Sequence, residues 1–222
     1  MRFFTKKRVV LFLLFIFPLI CFLILSTGEN NFKKLPILTQ KVIDITEIDA
    51  SKSVALKESV SIVCFLGNDV QSITSGLLNL NEKVYKKFLD YKKFQIIAIY
   101  PKDKTDDVNA LKDKIGAFTD MQKWKFVPST KAEIEGFYQS FAYNEPLINL
   151  SSTKAFLIDK NLSLRGRLKD DKTNKKLYGY NLNSVSELNG KLKDDIKVLY
   201  YEYYAAFKDR NKNKANRKEV GI

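Results

Sequence analysis

The 222-residue chain contains no histidine. This removes imidazole as a general base, the Ser-His-Asp and Cys-His arrangements, and imidazole as a metal ligand. Cysteine is almost as scarce: Cys21 lies in an apolar N-terminal run, leaving Cys64 alone in the rest of the chain. A domain with one thiol can form neither an internal disulfide nor a two-thiol metal site. Most redox and transition-metal chemistry is thereby closed, and no cofactor or metal is expected.

A third absence is local. Residues 9–25, VVLFLLFIFPLICFLIL, carry no charge, and Ser26 and Thr27 extend the run. At about 1.5 Å rise per residue the run reaches roughly 26 Å, the short end of what spans a bilayer. Pro18 is tolerable there because neighbouring groups re-satisfy the freed carbonyl. Arg2, Lys6, Lys7 and Arg8 precede the run, whereas Glu29 follows it and the next base is Lys33. The basic side stays in the cytoplasm. The expected organisation is a basic cytoplasmic flank at 1–8, a single-pass anchor at 9–27 in the inner (cytoplasmic) membrane, and an exported, periplasmic remainder. The competing reading is a cleaved signal peptide, whose apolar region is usually shorter and ends at small residues. Here "ILSTGEN" offers only a weak cleavage site. Ile20 precedes Cys21 where a lipidation site needs a small residue, so lipidation is not expected.

The formal charge of +13 does not point to nucleic acid. Four positive charges belong to the flank, and 208–222 hold six basic against two acidic residues. The stretch 9–207 then has 28 basic and 23 acidic residues, an ordinary mixed surface. The basic tail reads as a solvated, disordered end, and only secondarily as a patch for anionic lipid or an acidic partner.

After a linker at 28–40, the pattern predicts one domain over 41–207. KVIDITEI (41–48) alternates apolar and polar residues, as an edge strand does. SVSIVCFL (59–66) and FQIIAIYP (94–101) are nearly continuous apolar runs, the mark of strands buried on both faces. Asn68 with Gln71 resembles a capping box opening a helix that runs to about residue 91 through Leu77, Leu80, Val84, Phe88 and Tyr91. Further helices are expected over 106–118, through Val108, Leu111, Ile115 and Phe118, and from a Thr130/Glu133 box. A short strand falls around 124–127. KAFLIDKNLSLRGRL reads as two strands joined at Asp159-Lys160-Asn161. A Ser184/Glu187 box starts a last helix, running to about Phe207. Strands alternating with helices, closed by a hairpin, make an α/β fold: a central mixed sheet with parallel early strands and helices on both faces.

That order, with one N-terminal anchor, Phe65-Leu66-Gly67 ending the first core strand, and the hairpin carrying Arg165-Gly166-Arg167, resembles the Sco/SenC family of membrane-anchored copper-delivery and thiol-redox proteins. The resemblance covers roughly 40–207 and implies a thioredoxin-like (Sco/peroxiredoxin-type) fold. It also implies a CxxxC at the helix start and a histidine before the hairpin. Counting as the family counts, those ligands fall at Gln71, Ser75 and Ser151. An amide and two hydroxyls supply no soft, anionic copper ligand and no exchangeable thiolate.

Cys64, between Val63 and Phe65 in a strand, is expected to be buried and inert. Asn68, Asp69 and Gln71 sit at an exposed helix start, where free N–H groups favour anions, although plain capping accounts for them. Tyr201 and Tyr204 lie off the core stripe of the last helix and suit an interface. The adjacent carboxylates at 106–107, 170–171 and 194–195 diverge too far to form an acid/base pair. The candidate partner-binding set is therefore Asn68, Asp69, Gln71, Ser75, Ser151, Tyr201 and Tyr204, with no catalytic, cofactor or metal residues. The expectation is a membrane-anchored, non-catalytic thioredoxin-like domain that binds protein. The resemblance implies an accessory role in envelope or respiratory-complex (oxidase) assembly. The alternative is an enzyme or small-ligand binder using other residues at the C-terminal end of the sheet.

Overall fold

The computed structural model describes residues 6–26, 33–49, 51–171 and 173–219; the side chains of Arg8, Ser26 and 209–219 lie outside the description. The chain divides into two units, 1–33 and 34–222. In the first, α1 (Lys6–Ser26) is a 21-residue helix with Pro18 inside it. Its large apolar side chains from Val9 to Leu25 are exposed. Among the described residues no helix reaches the 18-residue apolar length expected of a membrane span; the uncharged run 9–25 is 17 residues long. The anchor expected at 9–27 thus rests on sequence, with Thr27 and the linker residues 28–32 outside the described residues.

The second unit is built on a sheet of order β1-β6-β5-β2-β3-β4, with β7 also pairing β5. The strands are β1 (Ile37–Thr39), β2 (Val60–Phe65), β3 (Phe94–Pro101), β4 (Trp124–Ser129), β5 (Lys154–Ile158), β6 (Leu164–Arg165) and β7 (Tyr180–Asn181). β2, β3 and β4 are parallel, while β5 is antiparallel to β2 and β6. Both faces of β2 are covered, which is why its apolar run is continuous. Ile62, Cys64 and Leu66 face one core with Leu77 and Leu80 of α2 (Val70–Lys83), Val108 and Leu111 of α3 (Thr105–Gly116), and Ile196 and Leu199 of the last helix. Val63 and Phe65 face the other, with Ile134 and Phe137 of α4 (Lys131–Gln139). Pro128 is tolerated because β4 is an edge strand.

Several expectations are corrected. Residues 41–48 form no strand: Val42, Ile45 and Ile48 are buried around a 3₁₀ turn, Ile45–Glu47, and Ile43 is exposed. The apolar spacing that matters there is three, and the edge strand lies earlier, at β1. The Asn68/Gln71 box is not made, because Asp69 caps α2 by accepting from the Ser72 N–H. α2 ends at Lys83 and a separate 3₁₀ turn, Tyr85–Lys87, buries Tyr85 ahead of Phe88. Phe118 and Phe207 are exposed rather than core.

The Thr130/Glu133 box is complete. The Ser184/Glu187 box is half made: Ser184 caps the Glu187 N–H, but the Glu187 carboxylate accepts from the Asn181 N–H. The last helix starts as α5 (Val185–Glu187), passes through a π turn (Leu188–Leu192), and continues as α6 (Lys193–Glu219). Its backbone therefore stays helical past Phe207, through most of the basic stretch expected to be a disordered tail.

Candidate functional site

The site lies where β2 hands over to α2. Gly67 turns the chain with φ +69°; a Cβ there would stand 2.5 Å from Ser151 Cβ and 2.6 Å from the Asn149 carbonyl oxygen. Only glycine fits both the left-handed backbone and the close approach. Against this turn lies 148–151, a two-residue hairpin in which Ile148 and Ser151 exchange both backbone hydrogen bonds (3.0 and 2.9 Å). Its central residues, Asn149 (φ +51°) and Leu150 (φ +63°), are both left-handed, as a type I′ turn requires. Asn68 N–H donates to the Asn149 carbonyl at 3.0 Å, and Ser152 N–H to the Phe65 carbonyl at 3.1 Å. The hairpin is thereby stitched to the end of β2.

Between α2 and this loop opens a cleft of about 250 Å³, lined by Asp69, Ser72, Tyr138, Glu145, Pro146, Ile148 and the stretch 151–154. One rim is charged: Lys154 Nζ contacts the Glu145 carboxylate at 2.7 Å, donates to the Tyr143 hydroxyl, and sits 4.9 Å over the Tyr143 ring. The Lys154 hydrogen bond, then that of Tyr143, holds the Glu145 carboxyl below the usual glutamate range. Burial pushes the Tyr138 and Tyr143 phenols well above theirs. Ile148 projects from the other rim and is 74% exposed.

Three hydroxyls here bond to main-chain carbonyls, while Ser152 Oγ accepts from the Lys154 N–H at 3.2 Å. Ser72 Oγ donates to Asp69 O at 2.8 Å, Ser151 Oγ to Phe65 O at 3.3 Å, and Tyr138 Oη to Glu145 O at 2.7 Å. A carbonyl accepts but cannot remove a proton, so none of these three hydroxyls is activated as a nucleophile by its partner. Cys64 is fully buried in β2, and burial raises its thiol far above the ordinary range. Among the described residues no cluster of histidine, cysteine, aspartate or glutamate could hold a metal ion.

The structure brings Asn68, Asp69 and Ser151 together at this end of the sheet. It does not bring Gln71 or Ser75 into the cleft. Both are exposed on α2, and Gln71 faces Lys114 Nζ at 3.4 Å; the residue of α2 that lines the cleft is Ser72.

Tyr201 and Tyr204, 37% and 63% exposed, belong elsewhere. The helical stretch starts beside the cleft end of β5, where Leu182 N–H donates to Thr153 O. Its neighbour Tyr203 meets Lys160 N–H at 3.3 Å beyond the opposite end of β5. Sequence reading names none of Ser72, Tyr138, Glu145 and Lys154 as a site residue. Ser72 and Glu145 do fall in the turn 67–75 and the loop 144–152, where it expects a partner surface, and of these four Glu145 and Lys154 pair across that loop. The last two are nine residues apart and meet only because 148–151 folds back on itself.

No protein-family model and no curated protein matches the sequence. Solved structures do. BsSco, described as a member of the Sco family of cytochrome c oxidase assembly proteins with a disulfide switch, is 14% identical. The match covers 75% of this chain and 98% of that one, at a TM-score of 0.50. An SCO1/SenC family lipoprotein from Bacillus anthracis str. Ames is 19% identical, over 76% and 99%, at 0.49. Bradyrhizobium japonicum ScoI with copper bound is 16% identical, over 64% and 89%, at 0.37. At such identities the likeness is one of fold: the chain has a Sco-like thioredoxin fold.

Proposed function

We propose that this is a non-catalytic, membrane-anchored thioredoxin-like domain that binds a protein partner through the cleft between α2 and the 144–154 loop. The observation that carries the reading is chemical. Where a redox protein of this fold presents thiols, this chain presents a capping carboxylate, hydroxyls bonded to main-chain carbonyls, and a Lys154–Glu145 pair at 2.7 Å. Such a surface can orient a polar segment of a partner but has no group to exchange electrons with it. The exposed Ile148 adds an apolar contact at the rim, and interfaces commonly combine an apolar core with a polar rim. A role in assembling an envelope or respiratory complex follows from the family resemblance alone.

The anchor is part of the same proposal. α1 exposes apolar side chains from Val9 to Leu25, which water disfavours by about 25 cal/mol per Å². Its uncharged run falls only a few ångströms short of a ~30 Å hydrocarbon core, a mismatch that local thinning absorbs at a fraction of a kcal/mol per Å. The basic flank orients the domain outward.

The test is photo-crosslinking in cells from the full chain with a reactive residue at Ile148. The reading expects a reproducible protein adduct that weakens when Asp69→Lys and Lys154→Glu change the cleft. No adduct, or one indifferent to both changes, overturns it. Stoichiometric Cu(I) retention by the purified chain, or reduction of a disulfide substrate, overturns the non-catalytic half.

A further inference from the structure

We propose a second interaction surface: the α6 extension from residue 201 to 219 docks on an anionic membrane surface. The proposal rests on the anchor reading, since α1 would bring the domain to lipid. Three observations converge. First, 208–219 contain six basic and two acidic residues on a backbone helical through Glu219. Second, the turn before them exposes Tyr204 at 63% and Phe207 at 59%; tyrosine settles at headgroup level, and phenylalanine serves the apolar face of helices that lie in the interface. Third, α6 is fastened to the incoming chain. Glu202 accepts from the Leu35 N–H and pairs with the buried Arg165, whose guanidinium also donates to the Leu35 carbonyl.

Ser26 and Leu35 are nine residues apart, and whatever course the chain takes between them, that length spans at most about 32 Å. An inserted α1 would therefore keep Glu202 within about that reach of lipid, and the basic stretch begins only about 9 Å further along the helix. A second copy of this chain is a poor occupant, because six bases would face six bases. Anionic lipid gains from each base near its surface and is lost to salt. The docked helix lies past the Lys160 turn, beyond the end of β5 opposite the cleft, so the cleft stays open to a partner.

The full chain in lipid nanodiscs tests this by amide hydrogen exchange over 204–219. In discs containing phosphatidylglycerol these amides should exchange several-fold more slowly than in phosphatidylcholine discs. The difference should vanish in molar salt, and in a variant carrying Lys208→Gln, Lys212→Gln, Lys214→Gln and Lys218→Gln. Equal exchange in both lipids, in a chain that co-elutes with the discs, overturns the docking and leaves the anchor standing. A difference that survives both salt and the quadruple variant also overturns it. A chain that never enters the discs overturns both readings.

Discussion

At the scale of single residues, Gly67 decides the shape of the site. Its φ of +69° places a missing side chain 2.5 Å from Ser151 Cβ and 2.7 Å from the Ser151 nitrogen. Gly67→Ala must therefore bear both left-handed strain and forced repacking, a loss of about 2–4 kcal/mol. Denaturant unfolding should show it as a lower midpoint at unchanged slope. Ile148 crosslinking should fall as well, because the hairpin is held by that turn. Glu145 predicts a smaller, pH-dependent effect. Its folded carboxyl lies below the ordinary value because Lys154 holds it. The pair therefore adds stability above the unfolded pKa, near about 4.3, and loses it as pH falls through the lower folded pKa. With Glu145 65% exposed, the contribution is at most about 1 kcal/mol. Wild type and Glu145→Gln should differ by that amount at neutral pH and converge in acid, as thermal melts would record.

At the scale of elements, what could be read from the chain was whatever depends on neighbours in sequence. β2 and β3 announced themselves as unbroken apolar runs because cores cover both faces, and α4 by Thr130 and Glu133, whose reciprocal cap is present in full. Thr130→Ala should lower stability by about 1 kcal/mol, read as a drop in melting temperature. The misses depend on partners that the local apolar pattern does not show. Gln71 could not close the box on the Asn68 N–H because that donor is taken up by the Asn149 carbonyl, and the cap is made by Asp69 instead. The 41–48 stretch looked like a strand because its apolar and polar residues alternate, with Asp44 as one of the polar ones. In the fold its carboxylate gathers the Thr46, Leu56 and Lys57 N–H groups, closing a loop instead of pairing a strand. Nor did local pattern show why α6 stays put: Arg165, 7% exposed, holds both Asp159 and Glu202 across elements. Glu202→Ala would leave Arg165 paired with Asp159 alone and the Leu35 N–H without its acceptor, so it should cost about 2 kcal/mol, less than a fully stranded charge. Hydrogen exchange should then rise first along α6 and β1, the elements that Glu202 joins through Leu35.

At the scale of the whole molecule, the proposed anchor can be tested against numbers. Fifteen of the seventeen residues at 9–25 are Leu, Ile, Phe or Val, each worth about 0.3–0.6 kcal/mol towards insertion at the helix centre. The run as a whole thus favours the bilayer by about 5–9 kcal/mol, an upper bound because residues near the ends gain less. One arginine at the centre costs about 2.5–3.5 kcal/mol, which such a run tolerates. Two cost about 5–7 kcal/mol, as much as the run supplies. Ile16→Arg alone should leave the full chain in the membrane pellet after alkaline carbonate washing. Ile16→Arg with Leu19→Arg should release it. Both positions are exposed on α1, so neither change removes a packing contact. The folded domain should melt at the same temperature in both variants, separating loss of anchorage from loss of fold. A wild-type chain that washes out with carbonate, or a double variant that stays behind, would leave α1 without the role its composition suggests. The domain would then have to find its partner from solution.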